Sequence, residues 1–267
     1  MEQPQGLYLT VEGRHNGITI KSPQELKTMR EAGRVTAAGR DAVVKAIQPG
    51  MKTRELDAIF AREIRRLGGK ASFKGYRGFP ATICVSINNE IVHGIPGDRV
   101  VKDGDVVSID VGAIVGGFHG DSAVTLAVGK SSPEADRLIE ATRLSLELGI
   151  KQAVAGNRVG DISYAVQTFA EAQGYGVVRE YVGHGIGRAL HEDPAVPNVG
   201  EKGKGPLLRV GMVIAIEPML NLGTWETRVL GDDWTVVTAD GSISAHFEHT
   251  VAITEHGPWV LTAIEGE

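Results

Sequence analysis

The sequence predicts a mixed α/β (α+β) chain made of two related halves. Three observations carry that prediction: a central hairpin bearing two aspartates, four helical segments with capping or amphipathic patterns, and an internal repeat. The hairpin covers 106–128, read V-V-S-I-D-V-G-A-I-V-G-G-F-H-G-D-S-A-V-T-L-A-V. Its two β-branched runs meet at Gly116-Gly117, a dipeptide that accepts positive φ at both central turn positions. A two-residue loop fixes the register by counting, so that 115 pairs with 118, 114 with 119 and 112 with 121. Asp121 is then opposite Gly112 and diagonal to Asp110, with both carboxylates on one face about 7 Å apart. Gly112 is expected to leave the space between them open. Two carboxylates on an apolar hairpin are costly to bury unless something positive sits between them. The ordinary fate of aspartates near a turn is a solvated rim, but a metal ion with oxygens at about 2.0 to 2.2 Å also spans such a gap.

The other elements follow in order. Residues 1–20 read as a short tail with an edge strand at Gly17 to Ile20. Ser22-Pro23-Gln24-Glu25 supplies a capping box with proline at the first helical position, and Leu26, Met29, Val35 and Ala38 continue at helical spacing until Pro49-Gly50. A second amphipathic helix near Thr53 to Leu67 stops at Gly68-Gly69. A strand is predicted at Thr82 to Ile87, then an Asn88-Asn89 turn and Ile91-Val92-His93-Gly94-Ile95-Pro96 before the hairpin. After the Ser-Ser-Pro break at 131–133, a long helix is predicted over about Ala135 to Val154, and another near Asp161 to Gln173 ending at Gly174.

Composition bounds the function. The 267 residues are 42% hydrophobic, enough for a large core, and the tail at 1–20 leaves one domain at 21–267 with halves near 21–130 and 131–267. No signal peptide or membrane-length apolar run is seen, so the chain reads as soluble and cytoplasmic, with no membrane partner. A net charge of -5 gives no basic footprint for DNA. The single cysteine, Cys84, excludes an intrachain disulfide and a cysteine-rich zinc module.

The repeat places chemistry. Gly50 and Gly68 answer Gly156 and Gly174 at an offset of 106, and V-K-D-G-D-V-V-S-I-D ending at Asp110 matches L-R-V-G-M-V-I-A-I-E ending at Glu217 at 107. V-H-G-I-P at His93 answers G-H-G-I-G at His184, and H-G-D-S-A-V at Asp121 answers H-F-E-H-T-V at Glu248. Weak internal similarity arises by chance, but here ionisable residues recur in the same order on matching elements. Each half supplies a carboxylate ending an apolar strand, another in a following strand, and a histidine in a glycine-flanked loop.

Singly, Asp110, Asp121, His184, Glu217 and Glu248 each read as ordinary surface or ion-paired groups. Jointly, four buried carboxylates would repel and take up protons unless cations neutralised them. Four carboxylates with one imidazole suit two divalent ions, and Mn, Fe, Co and Zn all fit such donors. Such a pair would activate water and polarise a carbonyl, which is hydrolytic chemistry. His93 faces the same site through the repeat, and His191 follows His184 by seven residues. His119, His246 and His249 flank the acids as orienting or packing groups, and His15 and His256 read as surface.

D-V-G at Asp110, G-D-S-A at Asp121, G-H-G-I-G at His184, I-E-P at Glu217 and F-E-H-T at Glu248 resemble the five-ligand signature of type I methionine aminopeptidases, from Ile20 to about Thr254. The resemblance implies a pita-bread fold: two pseudo-twofold-related α/β halves with a mostly antiparallel curved sheet around a dinuclear metal site. It implies two divalent ions (Co2+, Mn2+, Fe2+ or Zn2+), with Asp110 and Asp121 on one, His184 and Glu217 on the other, and Asp121 and Glu248 bridging. It implies removal of the initiator methionine from nascent chains at the ribosome exit by a monomer, preferring a small second residue. Glu217 becomes the proton carrier, His93 and His191 contact the substrate, and Tyr76, Phe79, Cys84 and Trp234 match the methionine pocket, where a thioether gains from aromatic contacts. Phe73, Leu190 and Ser108 depart from the usual small residue, aromatic and asparagine. Glu217 follows His191 by only 26 residues, which favours type I over type II with its long insertion. The rivals are an Xaa-Pro aminopeptidase or dipeptidase of the same fold, whose members usually carry an extra N-terminal domain, and a non-catalytic binding protein, whose members lose ligands and gain basic tails.

Overall fold

The computed structural model describes residues 17–264. The expectations for residues 1–16, including His15, lie outside the described residues. Helix α1 (Pro23–Ala46) starts as its capping box requires: Ser22 Oγ accepts from the Glu25 amide at 3.3 Å, and the Glu25 carboxylate accepts from the Ser22 amide at 3.0 Å. Helix α2 (Thr53–Arg66) opens where the Lys52 amide donates to the Glu55 carboxylate at 2.7 Å. Helix α3 (Pro133–Gln152) is capped by Ser132 Oγ, and α4 (Val159–Ala172) by the Arg158 amide on the Asp161 carboxylate at 2.7 Å. The expected helices are thus present with ends shifted by about two residues.

The first-half strands are β1 (Lys70–Ala71), β2 (Ile83–Ile87), β3 (Glu90–Val92), β4 (Val106–Val115) and β5 (Phe118–Ala127). The later strands are β6 (Gly176–Val177), β7 (Gly183–Gly185), β8 (Glu192–Val196), β9 (Val213–Ile216), β10 (Met219–Asn221), β11 (Thr227–Val229), β12 (Val236–Thr238), β13 (Ser244–His246), β14 (Glu248–Thr254) and β15 (Gly257–Val260). The main sheet is antiparallel in the order β1-β4-β5-β14-β9-β7-β8, with β2 beside β4 and β15 beside β14. Helix α1 packs on β4 and β5 in the first half, and Leu146 of α3 and Ile162 of α4 join β9 and β14 in the second core.

The central hairpin has the counted register: Val115 pairs with Phe118, Ile114 with His119 and Gly112 with Asp121, through a turn with φ of 58° at Gly116 and 78° at Gly117. Alternation then sends Ile109, Val111 and Ala113 into the first core and leaves Asp110 on the other face. The repeat has structural counterparts. The isolated bridge Lys52 to Val100 precedes β4 as Arg158 to Leu207 precedes β9.

Two expectations fail. Gly17 to Ile20 is irregular instead of an edge strand: Thr19 is tied by its side chain, Oγ1 to Glu192 Oε2 at 2.6 Å, and the main chain bonds at Lys21, amide to Gly211 carbonyl at 2.7 Å, before turning into α1. The space over Gly112 is filled: a Cβ there would come within 2.8 Å of the Phe73 ring and of Ser72 Cβ.

Helix α1 approaches the chain just beyond β15 so closely at Gly33 that a Cβ would lie 2.1 Å from the Leu261 carbonyl oxygen. Since backbone stands on both sides, Gly33→Ala should cost about 3 kcal/mol, read as a lower urea midpoint at unchanged slope.

Candidate metal centre and substrate cleft

Five strands bring four carboxylates and one imidazole to one place. Asp110 on β4 and Glu248 at the start of β14 both pair with Ala123 of β5, so a single row crosses three strands. Asp121 stands two residues earlier on β5, on the same face. Glu217 follows directly after β9, before Pro218, and Asn198 Nδ2 donates to its carbonyl at 3.1 Å. His184 lies on β7, its Nδ1 2.9 Å from the Gly185 carbonyl oxygen. A carbonyl only accepts, so Nδ1 carries the proton and Nε2 presents a bare lone pair. That Nε2 is 3.6 Å from Glu217 Oε1 and 3.8 Å from Asp121 Oδ2. Asp121, His184 and Glu248 each offer an atom within 4.8 Å of the other two, and all three are buried.

Burial sets the electrostatics. Desolvation pushes the Asp110 carboxyl up to about 7, and pushes Asp121, Glu217 and Glu248 well above the usual carboxylate range with mutual repulsion added. It lowers His184 to about 4, so the imidazole is neutral. Asp110 Oδ1, Asp121 Oδ1 and Glu248 Oε1 are buried without a hydrogen-bond partner among the described residues. Oxygens so placed call for a positive partner, and the donor set of carboxylates and one neutral imidazole fits divalent cations.

All five groups line one cleft, and its apolar wall is made by Tyr76, Phe79, Cys84 and Trp234 together with Phe73 and Leu190. Phe79 and Trp234 meet edge to face at 5.0 Å. Burial and the neighbouring carboxylates raise the Cys84 thiol, so it stays protonated and acts as wall. His93 is held at φ 62° just after β3, its ring 5.7 Å from Tyr181, and burial lowers it to about 4. His191 precedes β8 and lies 4.2 Å from the His184 ring. A second recess shares His93, Asp110, His191 and Glu217 and runs on between Val92, Tyr181 and Val182. Every sequence-predicted site residue therefore faces the same cleft.

The remaining histidines separate. His119 Nδ1 meets Ser72 Oγ at 3.0 Å, and His249 turns away to Thr262 Oγ1 at 2.8 Å. His256 is exposed, and His246 Nε2 approaches Glu217 Oε2 at 3.9 Å. Ser108 lies off the cleft, bonded at 2.8 Å to Thr125 Oγ1. Tyr181 and Asn198 escaped the sequence reading. Neither type in its local setting signals a site, and only the fold sets one against His93 and the other on the Glu217 carbonyl.

The sequence profile of metallopeptidase family M24 matches residues 27–255. The chain belongs to metallopeptidase family M24. Among M24 relatives, "Methionine aminopeptidase 1" of Bacillus subtilis is 53% identical over 247 residues, 92% of this chain and 100% of that protein. The crystal structure of methionine aminopeptidase from Thermotoga maritima superposes with a TM-score of 0.91 at 46% identity, over 93% of this chain and 100% of the other. Prolidase from Pyrococcus furiosus shares the M24 fold at TM-score 0.76 and 23% identity, over 92% of this chain and 65% of its own. The pita-bread architecture expected from the motifs is thus the architecture of the chain, and its M24 membership makes it a metallopeptidase.

Proposed function

We propose that the chain is a methionine aminopeptidase that removes the initiator methionine from new polypeptides when the second residue is small. The observation that carries this reading is a single cleft in which an apolar, aromatic wall adjoins four carboxylates and a bare imidazole nitrogen. Identity of 53% to the Bacillus subtilis protein over its whole length supports it. Asp110, Asp121, His184, Glu217 and Glu248 would hold two divalent ions, of Co2+, Mn2+, Fe2+ or Zn2+. Bound there, such ions would supply Lewis acidity, polarising the scissile carbonyl and easing deprotonation of water.

The protein's own groups do the rest. Tyr76, Phe79, Cys84 and Trp234 take the methionine side chain, whose sulfur gains from ring contacts. Val92, Tyr181 and Val182 narrow the second recess, where the residue after methionine would lie, which favours small side chains. Glu217 takes a proton from the attacking water and returns it to the leaving amine, and His93 and His191 hold the amide and its carbonyl oxygen. The five acidic and imidazole groups come from one chain, which fits action as a monomer. On this reading the substrate is met in the cytoplasm, at the ribosome exit.

Hydrolysis of methionyl-glycyl and glycyl-prolyl peptides by metal-loaded protein tests the reading. Release of methionine from the first with no cleavage of the second is expected. Preferential cleavage before proline would assign the chain to the prolidase-like activity instead, and no hydrolysis of either would leave a binding protein.

A further inference from the structure

The loop at 186–191, between β7 and β8, carries two cleft groups, Leu190 and His191. Inside the cleft, His191 Nδ1 lies 2.7 Å from the Tyr76 hydroxyl. Glu192, the next residue and the first of β8, is not among the cleft's lining groups. Its carboxylate turns back onto the loop, where Oε1 accepts from the Ala189 amide at 3.1 Å. The other oxygen, Oε2, takes two donors from the segment before α1: Thr19 Oγ1 at 2.6 Å and Lys21 Nζ at 2.8 Å. Lys21 Nζ also donates to Thr19 Oγ1, and the Lys21 amide is fixed on the Gly211 carbonyl. With the lysine side chain 5% exposed and the glutamate 13%, this is a buried ion pair joining residues 171 apart. Gly187 makes room for it, since a Cβ there would lie 2.6 Å from Glu192 Oε1 and 2.8 Å from Lys21 Cε. A buried charge deprived of its partner is strongly destabilised, so each end of the pair holds the other in place.

We propose that Lys21 and Thr19 are positioning residues for the cleft: acting through Glu192, they fix the loop that presents Leu190 and His191 to the substrate. One carboxylate makes both attachments, to the segment before α1 and to the loop backbone. Without Nζ the unpaired carboxylate is drawn towards water, and its hold on the Ala189 amide, one residue before Leu190, loosens. The outer part of the loop keeps its own anchors, the His119 amide on the Gly187 carbonyl at 2.9 Å and the Arg188 guanidinium carbon 4.2 Å from the Phe118 ring centre. The change is therefore confined to the turn that carries the cleft groups. Misplacing a group that meets the reacting amide by about 1 Å costs on the order of 10²-fold in rate. The effect on turnover rests on the functional reading above, in which His191 touches the substrate, whereas the effect on the loop does not.

Lys21→Met keeps the aliphatic stem and removes the cation. In metal-loaded protein, backbone amides at 186–191 should exchange with deuterium at least about tenfold faster by mass spectrometry, while those of α3 and β14 stay within about twofold. On a methionyl-glycyl peptide, kcat per folded, metal-bound site should fall about thirtyfold with KM within about threefold, because the His191 contact strengthens as the transition state forms. A role in stability alone would lower the folded fraction and leave kcat per folded site unchanged. Combining Lys21→Met with Glu192→Gln supplies a rescue. The neutral amide has no charge to hydrate and its oxygen stays on the Ala189 amide, so kcat should recover at least about fivefold over Lys21→Met alone. Thr19→Val, at an exposed position, takes one donor from the same oxygen and gives the reading if Lys21→Met fails to fold, with changes of about threefold in loop exchange and in kcat. Unchanged loop exchange, kcat within about twofold of the parent, or no recovery in the double variant would overturn the proposal. Exchange is measured without substrate, so a parent protein that hydrolysed no methionyl peptide would sink the functional reading while leaving the loop result standing.

Discussion

Glu217→Gln is expected to lower kcat on a methionyl-glycyl peptide by at least about 10³-fold, because it removes a proton carrier worth roughly 10² to 10⁴ together with a negative donor to the cation. Glutamine has nearly the shape of glutamate, so the β9 end, the Asn198 bond to the residue's carbonyl and the cleft walls are retained. The loss is therefore chemical. Oε1 lies 3.6 Å from His184 Nε2 and Oε2 3.9 Å from His246 Nε2, which sets the group between a candidate ligand and a second imidazole. Metal content measured beside turnover separates the two contributions. Activity within about tenfold of the parent would remove Glu217 from its assigned role.

Stripping the metal should separate two stability profiles. The buried acids have folded pKa values raised above their unfolded ones, Asp110 to about 7 and Asp121, Glu217 and Glu248 well above the usual range. Each contributes stability that is present below its unfolded value and lost as pH rises through its folded value. The buried histidines carry the opposite sign. His93 and His184, lowered to about 4, contribute above the unfolded value near 6.5 and lose that contribution as pH falls. Above pH 6.5 the histidine contribution is complete while the acids are still losing theirs, so stripped protein should lose stability as pH rises through and beyond 7. Loaded protein should not, since bound cations hold the carboxylates ionised. At free metal of 100 to 1,000 times Kd the gap is about 3 to 4 kcal/mol, or roughly 10 °C in Tm for a chain of this size. Thermal melts with and without chelator across that range test it. Parallel profiles, or a chelator without effect, would count against cations in the cleft.

What the sequence carried and what it could not differ in kind. The hairpin register was countable because Gly116-Gly117 permits only a tight turn between two β-branched runs, and every pairing down to Val106 with Ala127 follows from that one loop. The helix starts were legible because capping chemistry is local, as at Ser22 and Glu25. The convergence of Asp110, Asp121, His184, Glu217 and Glu248 was legible through the repeat, which converts distant positions into equivalent ones. The space over Gly112 was not, since Phe73 arrives from a loop some forty residues earlier and no local pattern announces it. The strand expected at Gly17 to Ile20 rested on β-propensity, which is decided by neighbours the segment does not have. The pairing of Tyr76 with His191 joins residues 115 apart, and only the closed cleft puts them in contact.

The line where β5 meets β14 has only two paired positions, and side-chain hydroxyls complete it. Thr250 Oγ1 accepts from the Asp121 amide and donates to the Asp121 carbonyl, while Thr125 Oγ1 does the same for His246, with all four distances between 2.7 and 2.9 Å. Valine would match either threonine in volume and orphan two main-chain groups at once, whereas Val107 in the neighbouring core can trade with other aliphatic residues of its size. Under random mutagenesis these two threonines would be among the least replaceable positions behind the cleft, although neither touches a substrate, and their constraint would look like that of an active-site residue while arising from the joinery of the two halves.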